Sequence, residues 1–107
     1  MYQLKESKFL NGKRVTDDKT MKVVEMVLSG NVNKSIVNSV NKQGGKGVGL
    51  SGKDANLIKC EQEDPDLGFV GEIKKVNPEV IRNFIESDFI PIIAPIGSGD
   101  DGQSFNI

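Results

Sequence analysis

The residues with the means to do chemistry are few. Arg14 stands just past an Asn11-Gly12 pair in SKFLNGKRV. Asn-Gly between two extendable runs marks a tight hairpin, because both central residues of a type I′ turn need positive φ. That hairpin would set Arg14 on the return strand, where a guanidinium could hold a carboxylate through two parallel hydrogen bonds. Its alternative role is a solvated strand arginine. Gly47-Val48-Gly49-Leu50-Ser51-Gly52 fits G-x-G-x-x-G, and Gly47 to Lys53 fits the first seven positions of a phosphate-binding loop. Both motifs need a helix to open inside them. A β-like run follows instead, and Asp54 occupies the place of the magnesium-binding hydroxyl. Glycines that let another backbone pack closely are the competing explanation. Asp100 and Asp101 among glycines suggest a polar turn before a cation site. Lys53 and Asp54 read as solvated neighbours on a turn. Cys60 has no base nearby in sequence and suits a small apolar position. Asn106, near the end of the last strand, could donate and accept hydrogen bonds to an amide group; an ordinary strand-end polar residue is the competing explanation.

Composition narrows the chemistry further. The 107 residues include no histidine and one cysteine. The usual zinc sites, an internal disulfide and any Ser-His-Asp or Cys-His machinery are therefore excluded. Fourteen basic and 15 acidic residues give a net charge of −1. No basic excess marks the chain for nucleic acid or an anionic membrane. No apolar run is long enough for a bilayer, and the first residues carry no secretory core. The expectation is one cytoplasmic domain over residues 1–107, with no nucleic-acid or membrane partner.

Asp66 to Gly97 positions these residues. Glu72 to Val76 is a strand; Asn77 can cap a helix, with Pro78 at its first position. Val80, Ile81, Phe84 and Ile85 recur at helical spacing. Phe89 to Ala94 is apolar without alternation, which predicts a strand of a parallel sheet, buried on both faces. Upstream, Thr16-Asp17-Asp18 offers a cap and acidic first-turn residues for a helix carrying Met21, Val24, Val27 and Leu28 on one face. Gly30 is expected to end it, with a tight turn at Gly30-Asn31 before a second helix over about Val32 to Lys42. Short strands are predicted at Lys46 to Leu50 and Leu57 to Cys60. The fold class is α/β: an open, mainly parallel sheet flanked by helices, with β-hairpins.

Four stretches taken in order carry a resemblance: GKRVTDDKTMKVVEMVLSGNVNKSIV, GGKGVGLSGKDANLI, DLGFVGEIKKVNPEVI and FIPIIAPIGSGDDGQSFNI. Together they are similar to the central part of the N-acetylglutamate kinases, in the amino-acid kinase family. The match runs from about Glu6 to Ile107. It implies a partial amino-acid kinase fold and ATP-dependent phosphorylation of the γ-carboxylate of N-acetyl-L-glutamate, a step of arginine biosynthesis. The family's substrate-contacting arginine, in G-x-R-V-T, falls on Arg14, and its substrate-contacting asparagine, in N-x-N-A-D, falls on Asn106. The family's upstream glycine-rich turn with its catalytic lysine is not matched, nor is its second catalytic lysine. The resemblance thus implies part of the acetylglutamate-binding half, without the nucleotide-binding half. No catalytic residue is then expected in this chain, nor ATP or Mg2+ bound by it alone. Acetylglutamate would bind weakly, and exposed sheet edges would favour self-association. A non-catalytic small-ligand or protein-interaction domain on the same scaffold, or one piece of a split kinase, are the alternatives.

Overall fold

The computed structural model describes residues 8–10 and 13–107. Strands β1 (Lys8–Leu10) and β2 (Lys13–Val15) pair antiparallel, Leu10 opposite Lys13. This is the hairpin expected there; Asn11 and Gly12, the expected turn residues, lie outside the described residues.

Helix α1 (Asp18–Glu25) begins at Asp17, whose carboxylate accepts the Thr20 N–H at 2.7 Å. The helix does not end at Gly30. It passes through a π-helical segment, Met26–Val32, directly into α2 (Asn33–Lys42). The predicted turn at Gly30-Asn31 is therefore corrected to a continuous helical run. The Asn33 N–H bonds the Leu28 carbonyl five residues back, so one wider turn absorbs the irregularity. Gly30 has no positive φ, and a Cβ added there would meet open space. A helical glycine costs only about 1 kcal/mol relative to alanine, and packing on both sides offsets this. The termination signal acts later, at Gly44, whose φ of +89° caps α2.

Strand β3 (Gly47–Ser51) pairs in parallel with β6 (Ile90–Ala94). A second sheet has the order β5-β4-β7-β8, with β4 (Ile58–Gln62), β5 (Gly71–Val76), β7 (Ile96–Ser98) and β8 (Ser104–Asn106). Its β4-β7 pair is parallel; β4-β5 and β7-β8 are antiparallel. The α/β class, with parallel strands, helices and hairpins, is as expected. Pro95 divides one extended run, so that β6 serves the first sheet and β7 the second. Helix α3 (Pro78–Glu86) starts with Pro78 as predicted, but the Asn77 side chain makes no capping hydrogen bond.

The core gathers Met21, Val24, Ala94 and Ile96, with Leu28 and Phe69 packed on it. The Met21 stripe is thus core, while β6 departs from expectation. Ile90 is 47% exposed and Ile93 36%, so this strand is not buried on both faces. Among the described residues β3 is its only strand partner, and the sheet there is two strands wide. No helix among the described residues is long and apolar enough to cross a membrane.

Candidate functional site

Thr16, just past β2, is fully buried. Its N–H donates to the Leu67 carbonyl at 2.8 Å, and its carbonyl accepts from Phe69 N–H at 2.7 Å. That approach demands glycine between them. Gly68 has φ +70°, and a Cβ there would lie 2.1 Å from the Thr16 carbonyl oxygen. On the other side of the same segment, the Asn106 N–H donates to the Phe69 carbonyl at 2.8 Å, and Val70 bridges Asn106 in parallel. The segment around Gly68 to Val70 therefore lies between the end of β2 and β8.

The Asn106 side chain closes this corner by donating from Nδ2 to the Thr16 hydroxyl at 3.4 Å. Asn106 is half-buried, and its amide carries an acceptor oxygen and a second N–H besides the one on Thr16. Arg14 lies two residues before Thr16, on β2 opposite Phe9; its side chain lies outside the described residues. Two positions 92 apart in sequence are brought to one corner of the fold by backbone pairing. Below it, Phe69 and Phe105 pack with ring centroids 6.1 Å apart, and buried Cys60 sits beside Gly71 and Gly97. A Cβ on Gly97 would come 2.7 Å from the Cys60 sulfur. Burial pushes the Cys60 thiol up, opposed by the neighbouring Lys59 ammonium. The thiol is thus a packing group, as its sequence setting suggests.

A second cluster was not legible in the sequence. The Ser104 hydroxyl donates to the Glu25 carboxylate, 2.7 and 2.8 Å from its two oxygens. Lys53 Nζ donates to the same hydroxyl at 2.8 Å and stands 3.5 Å from Glu25 Oε2. Helix α1, the turn after β3 and β8 are joined there. Lys53 is therefore not merely a solvated turn residue, and neither is Asp54. The Asp54 carboxylate accepts the Ser51 N–H at 2.7 Å and lies 3.3 Å from the Ser51 hydroxyl. No spacing rule joins positions 25, 53 and 104. Only the Lys53-Asp54 pair gave any signal.

The Gly47–Lys53 run does not fit a nucleotide phosphate. Gly49 lies under α2, where a Cβ would meet Asn33 Oδ1 at 2.0 Å. Asn33 itself is buried and donates to the Leu50 and Ile92 carbonyls, tying β3 to β6 from above. At Gly52 a Cβ would meet the Ile96 carbonyl oxygen at 2.1 Å. With Asp54 already on the Ser51 N–H, the glycines serve close packing and leave no ring of free amides. The Asp101 carboxylate accepts the Gln103 N–H at 3.1 Å, which makes the 99–102 segment a polar turn. No three His, Cys, Asp or Glu side chains converge to hold a metal among the described residues.

Comparison with known proteins agrees with this architecture. The model of the amino acid kinase family matches residues 2–107. Acetylglutamate kinase of Ruegeria sp. (strain TM1040) is 66% identical over 102 residues, which is 95% of this chain and 36% of that protein. Acetylglutamate kinase of Clostridioides difficile (strain 630) is 55% identical, over 95% of this chain and 36% of that protein. The chain thus spans about a third of the length of the curated relatives it matches. A crystal structure of a Streptococcus mutans protein superposes with a TM-score of 0.88 at 30% identity, covering 95% of this chain and 42% of that one. N-acetylglutamate synthase from Neisseria gonorrhoeae, solved with coenzyme A and N-acetyl-glutamate, shares the fold at a TM-score of 0.77 and 19% identity, over 95% of this chain and 24% of that one. With the family model covering nearly every residue and the hairpins, helices and parallel strands in place, the chain belongs to the amino acid kinase family.

Proposed function

We propose that these 107 residues carry the acetylglutamate-binding segment of an acetylglutamate kinase. What supports this most is the 66% identity to an acetylglutamate kinase across 95% of the chain. The nearness of the end of β2 to β8, at Thr16 and Asn106, adds support, because it gathers at one corner the two positions that the family resemblance assigns to the substrate. Arg14 would hold one carboxylate of acetylglutamate, leaving the γ-carboxylate to attack, and Asn106 would bond the acetamido group. Phosphoryl transfer asks mainly for positioning and charge neutralisation. ATP and Mg2+ would serve the whole enzyme; the family's two catalytic lysines are not matched in this chain. The chain would then be part of the acetylglutamate-binding half, inactive alone.

The test compares wild type with Arg14→Ala in acetylglutamate titrations followed by amide chemical shifts. Specific shifts near residues 13–16 and 103–107, weakened in the variant by about tenfold or more, are expected for a lost charge-assisted bond of roughly 1.5–3 kcal/mol. Equal shifts in both proteins would reduce Arg14 to a solvated strand residue. A hydroxamate assay with ATP, Mg2+ and acetylglutamate checks the second half of the proposal, with no acyl phosphate expected from this chain alone.

A further inference from the structure

The β4-β5 hairpin contains an irregularity with a chemical result. Lys59 lies opposite Lys75, but the next pair is Cys60 with Ile73. Lys74 is therefore the extra residue of a β-bulge. In a regular strand Lys74 and Lys75 would point to opposite faces. A bulge re-aims a side chain, and here both lysines line one cleft together with Lys59. The cleft has a volume of about 580 Å³, within the range of small-molecule sites. Asn56 and Asn77 stand on its walls and Asp100 on its rim.

Among the residues that line the cleft, three lysines face one carboxylate, Asp100. Lys74 is matched by Glu72 at 3.3 Å and Glu61 at 4.0 Å, neither of which lines it. Lys59 donates to the Gly99 carbonyl at 3.3 Å and stands 4.0 Å from the almost fully exposed Asp100 carboxylate, a pairing worth little in water. Lys75 forms no ion pair among the described residues. Like charges directly opposite on an antiparallel ladder destabilise it. The arrangement keeps Lys59 and Lys75 opposed, brings Lys74 to the same side and adds two amide side chains. Such a set suits a doubly charged oxyanion, which three ammonium groups and two amide N–H donors can hold through charge-assisted bonds. Neither Thr16 nor Asn106 lines the cleft, so this site is separate from the corner described above.

We propose that the bulged hairpin forms an anion site for phosphate or a phosphate monoester, with Lys59 and Lys75 as its main ligands. The chain is titrated with inorganic phosphate at ionic strength held constant with sodium chloride, and amide shifts are followed. Saturable shifts at Asn56, Lys59, Lys75 and Asn77 are expected. Lys59→Gln and Lys75→Gln should each weaken binding about tenfold, and Asp100→Asn should tighten it. Without phosphate, Lys75→Gln should melt no lower than wild type, since it relieves the opposed charges. A parallel titration with glycerol phosphate separates the sources: weaker binding than phosphate assigns the site to the free ion, equal or tighter binding to a monoester. Shifts that do not saturate, or a Lys59→Gln/Lys75→Gln double variant that binds as wild type does, would overturn the proposal.

Discussion

The run from Ile90 to Ser98 is nearly one strand, yet its halves live in different surroundings. Its first half, Ile-Pro-Ile-Ile-Ala, is the more apolar, and both Ile90 and Ile93 are exposed. Its second half, Ile-Gly-Ser, is buried at every position. Hydrophobicity thus does not rank the two halves by burial; neighbours do. Among the described residues strand β6 has one strand partner, β3, with α2 and α3 against it, whereas β7 lies between β4 and β8. A residue is buried by what covers it, and β7 is covered on both edges.

Truncation should separate the halves most. Ile96→Ala removes a fully buried side chain from the core and should cost about 2–5 kcal/mol in urea unfolding. Ile93→Ala, at a partly exposed site, should cost well under half as much. Equal losses would mean that β6 is as covered in solution as β7.

A smaller effect sharpens the comparison from the polar side. Ser104→Ala should lower stability by about 1–2 kcal/mol, because Glu25 and Lys53 lose the hydroxyl joining them at the β8 edge. Thermal melts would read this, and an unchanged melt would mean that water replaces the hydroxyl at no cost.

The weakest expected effect is the pH dependence set by Cys60, which sits beside β7. Its thiol is raised in the fold by burial, so the unfolded chain loses this proton first as pH rises. The unfolded state then binds fewer protons, and stability falls with increasing pH. The contribution is intact below the ordinary thiol value of about 8.5 and declines above it. Unfolding of wild type and Cys60→Ala between about pH 7 and pH 10 should show this extra decline in wild type only. Parallel profiles would remove Cys60 as the cause.

Much of the architecture was legible locally. The Asn11-Gly12 signal marks where β1 and β2 join, Pro78 starts α3, and the unalternating apolar run at Phe89 to Ala94 yields a parallel strand. Each depends on a backbone preference or a short period, so a window of a few residues suffices. The helical break at Gly30 failed for a related reason. Glycine weakens a helix but does not end one unless the chain adopts positive φ, as it does at Gly44 and not at Gly30. At the candidate corner, Arg14 and Asn106 were named through family likeness; their proximity depends on the pairing of Thr16 with Gly68 and of Val70 with Asn106.

By itself the sequence determined the element types, the family and the residue chemistry available: no histidine, one thiol and balanced charge. Those properties follow from composition and from interactions within one or two turns of chain. The tertiary structure decided which half of an apolar strand is buried, which lysines share a cleft and that Glu25, Lys53 and Ser104 meet. Such outcomes depend on register and on partners tens of residues away. A bulge of one residue at Lys74 changes which face a charge occupies, and no local period encodes it.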